Sequence, residues 1–289
     1  MKYVARNTPA ALICAGEAFE DLIFVGLDRL PAPGEEIKTD QFTATFGGGA
    51  IITAVTAARL GMNTTLISAL SAAACVRLKK ERVRITNLRK NNEPHAITAA
   101  LSTGHDRAFV TYNGINSTIA QRLARMIPGL RATHIHLCFC PHECHRWARI
   151  IAQLRDRQIS TSWDFGWDDS LPHAPGFFDL IDSLDFVFVN EHEARLYSGT
   201  PTIAASIPRW RERKAITIIK IGEEGSVWVA PDREILVTAP TVKVVDTTGA
   251  GDSFNAGFLV AWMKGKSPEQ CLAAGNKVGA ASTTKAGGI

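Results

Sequence analysis

The sequence predicts an α/β fold: a mostly parallel sheet covered by helices on both faces, in a single domain over residues 1–289. Three observations carry the prediction. Strand-like and helix-like segments alternate along the chain, a pattern that favours a parallel sheet with helical crossovers. Several helical segments close on glycine, as in "AIITAVTAARLG" and "EHEARLYSG", which marks a helix C-terminus. No internal repeat or low-complexity linker divides the chain.

Taken in order, "ALICAG" reads as a buried strand ending in glycine. "AIITAVTAARLG" is a helix and "TTLISAL" a strand. "STIAQRLARMIPGL" is helical, "ATHIHLCFC" a strand, and "HRWARIIAQLRDRQ" an amphipathic helix with a basic polar face. "STSWDFG" and "DFVFVN" are strands, "EHEARLYSG" a short helix, and "AITIIKIG" and "SVWVA" strands again. "TVKVVD" reads as one more strand before the last two helices, "DSFNAGFLVAWMKG" and "SPEQCLAAGNKVGAAS". Two segments, about 17–45 and 95–113, break the rhythm with hairpin-like runs, the second turning at "GHD". They predict an accessory β sheet acting as a lid. In open parallel sheets ligands bind at the C-terminal strand ends, which is where the informative residues fall.

Composition removes several function classes. A hydrophobic fraction of 46% and a charged fraction of 21% are ordinary for a soluble chain. The net charge of +4 is too small to point to nucleic acid as a partner. The basic run "RLKKERVRITNLRK", Arg77 to Lys90, reads as a solvated face. No apolar run is long enough to span a bilayer, and the early acids Glu17, Glu20 and Asp21 oppose a secretory signal. A cytoplasmic location is the expectation, with the six cysteines as reduced thiols.

The richest stretch is "DTTGAGDSFNAGF", Asp246 to Phe258. Gly249 and Gly251 allow a tight turn, so the amides of Gly249, Ala250 and Gly251 can converge at a helix N-terminus, where the helix dipole favours an anion. Such a turn can stabilise charge on a transferring group. Asp252 then fits either a helix cap or a base that takes a proton from an attacking hydroxyl.

The whole stretch resembles the C-terminal signature of the PfkB/ribokinase family of carbohydrate kinases. Other segments resemble the family in chain order. "AGEAFED" is similar to the first strand with its substrate-contacting aspartate, here Asp21, and "FGGGAIITAVTAARLG" to the N-terminal signature with Gly47 and Gly48. "NEHEARLYSG" is similar to the Asn-x-x-Glu motif, here Asn190 and Glu193. "IIKIGEEGSVW" resembles the nucleotide-side strand and turn, with Lys220, Gly222 and Gly225, and "AAGNKVGAAS" the helix beside the adenine, with Asn276. The resemblance implies a three-layer ribokinase-like fold with a β lid, dimerisation through that lid in some members, and transfer of the γ-phosphate of ATP to a hydroxyl of a sugar-like substrate. It implies Asp252 as base, the Gly249–Gly251 amides as anion hole, Thr248 on the nucleotide side, and Asn190 with Glu193 positioning Mg2+. Asp246 matches a position near a monovalent-cation (K+) site and reads equally well as a turn cap.

The departures lie on the substrate side. Ile52 stands where the family usually has an asparagine whose amide contacts the sugar, and isoleucine offers no hydrogen bond. "LISALSAAACVRL" replaces the family's usual polar turn, and the end at "KAGGI" predicts a shortened wall around the adenine and cation sites. A nucleoside kinase of the same fold is the first alternative, and a non-catalytic ligand-binding pseudokinase the second. Asp164, in "WDFGWDDS", is a candidate for lining the substrate pocket. "HIHLCFCPHECHRW" is dense in Cys and His, but Cys138 and Cys140 form C-x-C, without the distant second pair of structural zinc sites. On a strand those two cysteines would share a face. No P-loop, HExxH or G-x-S-x-G motif occurs.

Overall fold

The computed structural model describes residues 11–103, 107–285 and 287–289. Nine strands form the main sheet: β1 (Ala11–Gly16), β4 (Asn63–Ser68), β5 (Arg84–Asn87), β8 (His134–Cys138), β9 (Ser160–Asp164), β10 (Phe186–Asn190), β11 (Ile216–Lys220), β12 (Ser226–Val229) and β13 (Glu234–Val237). Their spatial order is β13-β12-β11-β10-β9-β8-β1-β4-β5. All pairs from β11 to β5 are parallel, and β12 and β13 continue the edge antiparallel. The chain runs from β1 outward to β4 and β5, then returns to β8 on the other side. The β1/β8 junction is therefore the switch point at which a crevice opens above the strand ends.

Helices cover both faces because successive strand residues point to opposite sides. On one face lie α3 (Ile119–Met126), α4 (Cys144–Asp156), α5 (Phe177–Ser183), α6 (Glu191–Ser198) and α7 (Ile203–Arg211), packed through Leu123, Trp147, Ile151, Leu180, Tyr197 and Trp210. On the other lie α1 (Gly49–Arg59), α2 (Ala72–Lys80), α8 (Ala250–Met263) and α9 (Pro268–Ser282), packed through Ile51, Leu78, Phe258 and Leu272. No helix among the described residues is long and apolar enough to cross a membrane.

The remaining strands, β2 (Phe19–Leu27), β3 (Gln41–Gly47), β6 (Ile97–Thr103) and β7 (Arg107–Tyr112), form a separate sheet in the order β3-β2-β6-β7. They fall in the two segments that break the strand–helix rhythm. The "GHD" turn between β6 and β7 lies outside the described residues. The register places Asp21 opposite Thr45 and Thr98 on one face of this sheet.

Two expectations need correction. "TVKVVD" forms no strand: Val244 and Val245 are exposed, and the amides of Val245 and Asp246 both donate to the Thr283 carbonyl instead of to a strand partner. Its alternating valines are a strand pattern, but the segment ties back to the end of α9 instead of pairing with a sheet edge. Cys138 and Cys140 do not share a face, because β8 ends at Cys138. Cys138 packs on the α8 side and Cys140 on the α4 side, where its thiol donates to Asp168 Oδ2 at 3.1 Å. The basic run becomes the end of α2, a turn and β5. Its Arg77 and the neighbouring Arg59 both bind Glu81, as fits a solvated face.

The β1/β8 junction is drawn tight at Gly16, which pairs with Cys138. A Cβ there would sit 2.0 Å from the Cys138 carbonyl oxygen. Gly16→Ala should therefore cost about 2–3 kcal/mol by overpacking, seen as a lower urea midpoint at unchanged m-value.

Candidate active site

The site assembles at the switch point from local sequence features. Gly249, at φ +71°, is the N-cap of α8 and turns the chain into the helix. The Ala250 amide closes this turn on the Thr247 carbonyl at 3.2 Å. That corrects the expectation of Ala250 as an anion-hole donor. Among the described residues no acceptor takes the amides of Gly249, Gly251 and Asp252, so these are the free donors at the positive end of α8.

Asp252, in the first turn of α8, faces the crevice. Its carboxylate has no hydrogen-bond partner among the described residues. A Cβ on Gly49 would sit 2.9 Å from Asp252 Oδ1 and 3.1 Å from the Cys138 Cβ. Gly49, the first residue of α1, thus makes room for the carboxylate. Burial, followed by the charge of Asp164, pushes Asp252 up to about 7, with Lys220 pulling the other way. A carboxylate that titrates near neutrality and lacks a capping bond suits proton transfer better than helix capping.

Lys220 and Asp164 stand at the ends of β11 and β9 on the α8 face. Lys220 Nζ donates to Asp164 Oδ2 at 2.8 Å and to Asn255 Oδ1 at 3.3 Å, and Asn255 Nδ2 donates to the same Asp164 oxygen at 2.8 Å. Asp164 Oδ2 is thereby engaged by Lys220 and Asn255, which gives the expected pocket-lining residue a structural partner. Its carboxyl stays below the usual range; burial raises it, and the charge and hydrogen bond of Lys220 with the Asn255 amide outweigh that. Beneath this group the same face carries a polar ladder: His134 lies between Ser160 and Ser162 at 2.8 and 2.7 Å, and His136 Nδ1 meets Ser162 at 2.7 Å. Burial lowers both imidazoles, so both are neutral.

Asn190 and Glu193 form a capping box at the start of α6. The Glu193 amide donates to Asn190 Oδ1, and the Asn190 amide to Glu193 Oε2, each at 2.8 Å. The Asn190 oxygen is therefore engaged, and of this pair only Glu193 Oε1 is free to meet a metal. Burial and then Asp164 push Glu193 up to about 7. Among the described residues no group of three or more His, Cys, Asp or Glu is arranged to hold a metal. One free carboxylate oxygen fits Mg2+ carried mainly by phosphate oxygens and water, and does not fit a protein cage. Asp246 accepts the Thr248 amide at 2.8 Å and the Gly287 amide at 2.9 Å, an arrangement that favours its turn-cap reading.

The remaining expected residues form two groups. On one side a Cβ on Gly47 would fall 2.0 Å from Asp21 Oδ2, and one on Gly48 (φ +95°) would fall 2.6 Å from the Glu17 carbonyl oxygen. The glycine pair lets Asp21 reach the strand ends, where burial pushes its carboxyl up to about 6. Ile52 is buried, with Cδ1 against Gly249 and Gly288, so it forms an apolar floor beside the α8 turn. On the opposite side Gly225 (φ +112°) packs against Val237 to Ala239. Asn276 Nδ2 donates to the Val237 and Thr238 carbonyls at 2.8 and 3.3 Å. Asn276 is thus a tie between α9 and β13, and its amide nitrogen is not free for a base. Gly222 (φ +63°) faces open space. Gly49 and Asn255 were missed in the sequence. The third glycine of "FGGG" was a signal for the first; an asparagine inside an apolar helix was the signal for the second.

The family model for the pfkB family carbohydrate kinases matches residues 10–289. A nucleoside kinase from Methanocaldococcus jannaschii is 27% identical over 90% of this chain and 86% of its own length. The ribokinase of Bacillus subtilis is 28% identical over 95% of this chain and 94% of its own. The solved Arabidopsis thaliana ribokinase complexed with ribose and ATP superposes with a TM-score of 0.76 at 24% identity, covering 96% of this chain and 94% of that one.

Gly49→Ala places a methyl group against Asp252 and, if Asp252 takes part in the reaction, should lower kcat by about tenfold or more, since a small displacement of a reacting group is costly. Melting temperature and kcat measured together check this: a fall in stability at unchanged kcat would oppose it.

Proposed function

The chain belongs to the pfkB family of carbohydrate kinases, and from that premise we propose that its site phosphorylates a hydroxyl of a sugar or nucleoside with ATP, using Asp252 as the base. The observation that carries this reading is the unpartnered, near-neutral carboxylate of Asp252 beside the free amides of Gly249 and Gly251. Asp252 accepts the proton of the acceptor hydroxyl. The hydroxyl oxygen attacks the γ-phosphorus, the bond to the β-phosphate oxygen breaks, and ADP leaves. The Gly249 and Gly251 amides face the charge on the transferring group, and its positioning with electrostatic stabilisation accounts for most of the rate in such reactions. When bound, Mg2+ would supply charge neutralisation on the phosphates, and Glu193 would be the residue that holds it; the mechanism calls on no K+. The nucleotide would lie on the side of Gly222 and Gly225, the acceptor beneath the four-stranded sheet by Asp21.

A nucleoside acceptor is the second reading. Ile52 favours it, because an apolar floor beside the α8 turn suits a substrate with fewer hydroxyls to satisfy than a free sugar. The relationship to a nucleoside kinase over most of the chain adds weight. A sugar and nucleoside panel with ATP tests both readings, and no phosphorylated product from any acceptor would defeat both.

The outward face of the four-stranded sheet offers a dimer contact. Phe24 and Phe42 pair across β2 and β3 with ring centroids 5.2 Å apart, and Val110 and Tyr112 on the same face are 67% and 56% exposed. This apolar face supports association with a second copy; light scattering that reads a single chain would remove it.

Asp252→Asn separates activity from stability. Turnover should fall by about 100- to 10,000-fold with the base removed. Folding favours the protonated form of Asp252, because its folded value of about 7 lies above the ordinary 3.8. That contribution is complete below the ordinary value and lost as pH rises through about 7. The variant should therefore be more stable than wild type by about 1–2 kcal/mol at pH 8 and lose that advantage as pH falls from about 7 toward about 4. Equal stability at pH 8 would contradict the burial of an unpaired charge.

A further inference from the structure

The sequence sets Lys220 on the nucleotide-side strand, where an ammonium would be expected to grip a phosphate of bound ATP. Its surroundings argue for another task. Two of its three donors are engaged, by Asp164 at 2.8 Å and Asn255 at 3.3 Å, and the Asn255 amide closes the triangle on Asp164. The three side chains come from β11, β9 and α8, so the triangle is braced by three packed elements. The Lys220 and Asp164 side chains are each only 13% exposed. Nζ also lies 3.2 Å from the position that a Cβ on Gly251 would take. The ammonium thus presses against the α8 turn from the sheet side, next to the amides that face the crevice.

We infer that Lys220 is a fixed charge beneath the anion turn, held there by Asp164 and Asn255, which stabilises the phosphoryl group during transfer without gripping the bound nucleotide. A held ammonium costs no reorganisation at the moment of reaction, and it adds to the field of the α8 N-terminus. Asp164 and Asn255 are positioning residues, acting through Lys220. Gly251 then has a second duty, since a side chain there would crowd the ammonium. The assignment rests on the kinase reading for its reaction, although part of its test does not.

Lys220→Met and the paired variant Lys220→Met/Asp164→Asn test it. The pair removes both charges together and leaves no orphaned carboxylate, so it keeps the fold where the single variant fails. In each folded variant kcat should fall by about 100-fold, while KM for ATP and for the acceptor stays within about threefold of wild type. A raised KM for ATP at unchanged kcat would make Lys220 a nucleotide contact and overturn the assignment. Recovery of kcat in the paired variant would make the triangle merely structural, and would also overturn it. A second measurement needs no turnover. Tetrafluoroaluminate should tighten the binding of Mg·ADP to wild type by at least about tenfold. Both variants should lose that tightening and keep the affinity for ADP. A wild type that shows the tightening but phosphorylates no acceptor defeats the kinase reading and leaves Lys220 as assigned. Absence of tightening in wild type, or its persistence in the paired variant, overturns the assignment.

Discussion

One buried ammonium among three carboxylates governs this site. Lys220 pairs directly with Asp164, while Asp252 and Glu193 share its field without a bond to it. In a desolvated crevice one positive charge cannot hold three negative ones ionised. Asp164, hydrogen-bonded, keeps its charge, and the two others are driven toward neutrality. The free site is therefore short of positive charge by design of its neighbours. A divalent cation brought close to these carboxylates would make each of them easier to ionise. The ionisation of Asp252 and Glu193 is thus tied to the charge around them through electrostatics alone.

The sheet makes that crowding possible. Because β1 and β8 belong to opposite directions of winding, no crossover covers their C-terminal ends, and α1 and α8 bring their N-termini to the same gap. Asp252 and the free amides of Gly249 and Gly251 come from α8, Gly49 from α1, and Lys220 and Asp164 from the strand ends below. The polar ladder of His134, Ser160, Ser162 and His136 lies under the same region, in a face otherwise filled by apolar side chains. Its imidazoles are uncharged, so it adds no further ion to the crevice.

Much of this was legible in the sequence, and the reasons differ by residue. The buried strands and the last two helices follow from long apolar or periodic segments, whose pattern is set by the same burial that shapes the fold. Asp252 and the two glycines before it stood out because a tight turn, a helix start and an acid occur together. What stayed hidden was pairwise. Nothing in "WDFG" tells that Asp164 faces a lysine 56 positions later, and nothing in "NEHE" separates a helix cap from a metal contact, since one carboxylate has an oxygen for each. "TVKVVD" misled because alternation reports which residues could pair, whereas here the amides of Val245 and Asp246 are taken by the Thr283 carbonyl at the end of α9. Ile52 was marked as unusual, but its contact with the α8 turn depends on how α1 and α8 cross.

The run Gly47, Gly48, Gly49 looks like the least specific part of the chain, three copies of the smallest residue. In three dimensions each copy is held by a different neighbour: Asp21, the Glu17 carbonyl and Asp252. These neighbours come from β2, the loop after β1 and α8. The run is thus a hinge point where three parts of the molecule meet with no slack. A change that eased one contact could not relieve the other two, so the simplest stretch in composition is among the least interchangeable in practice.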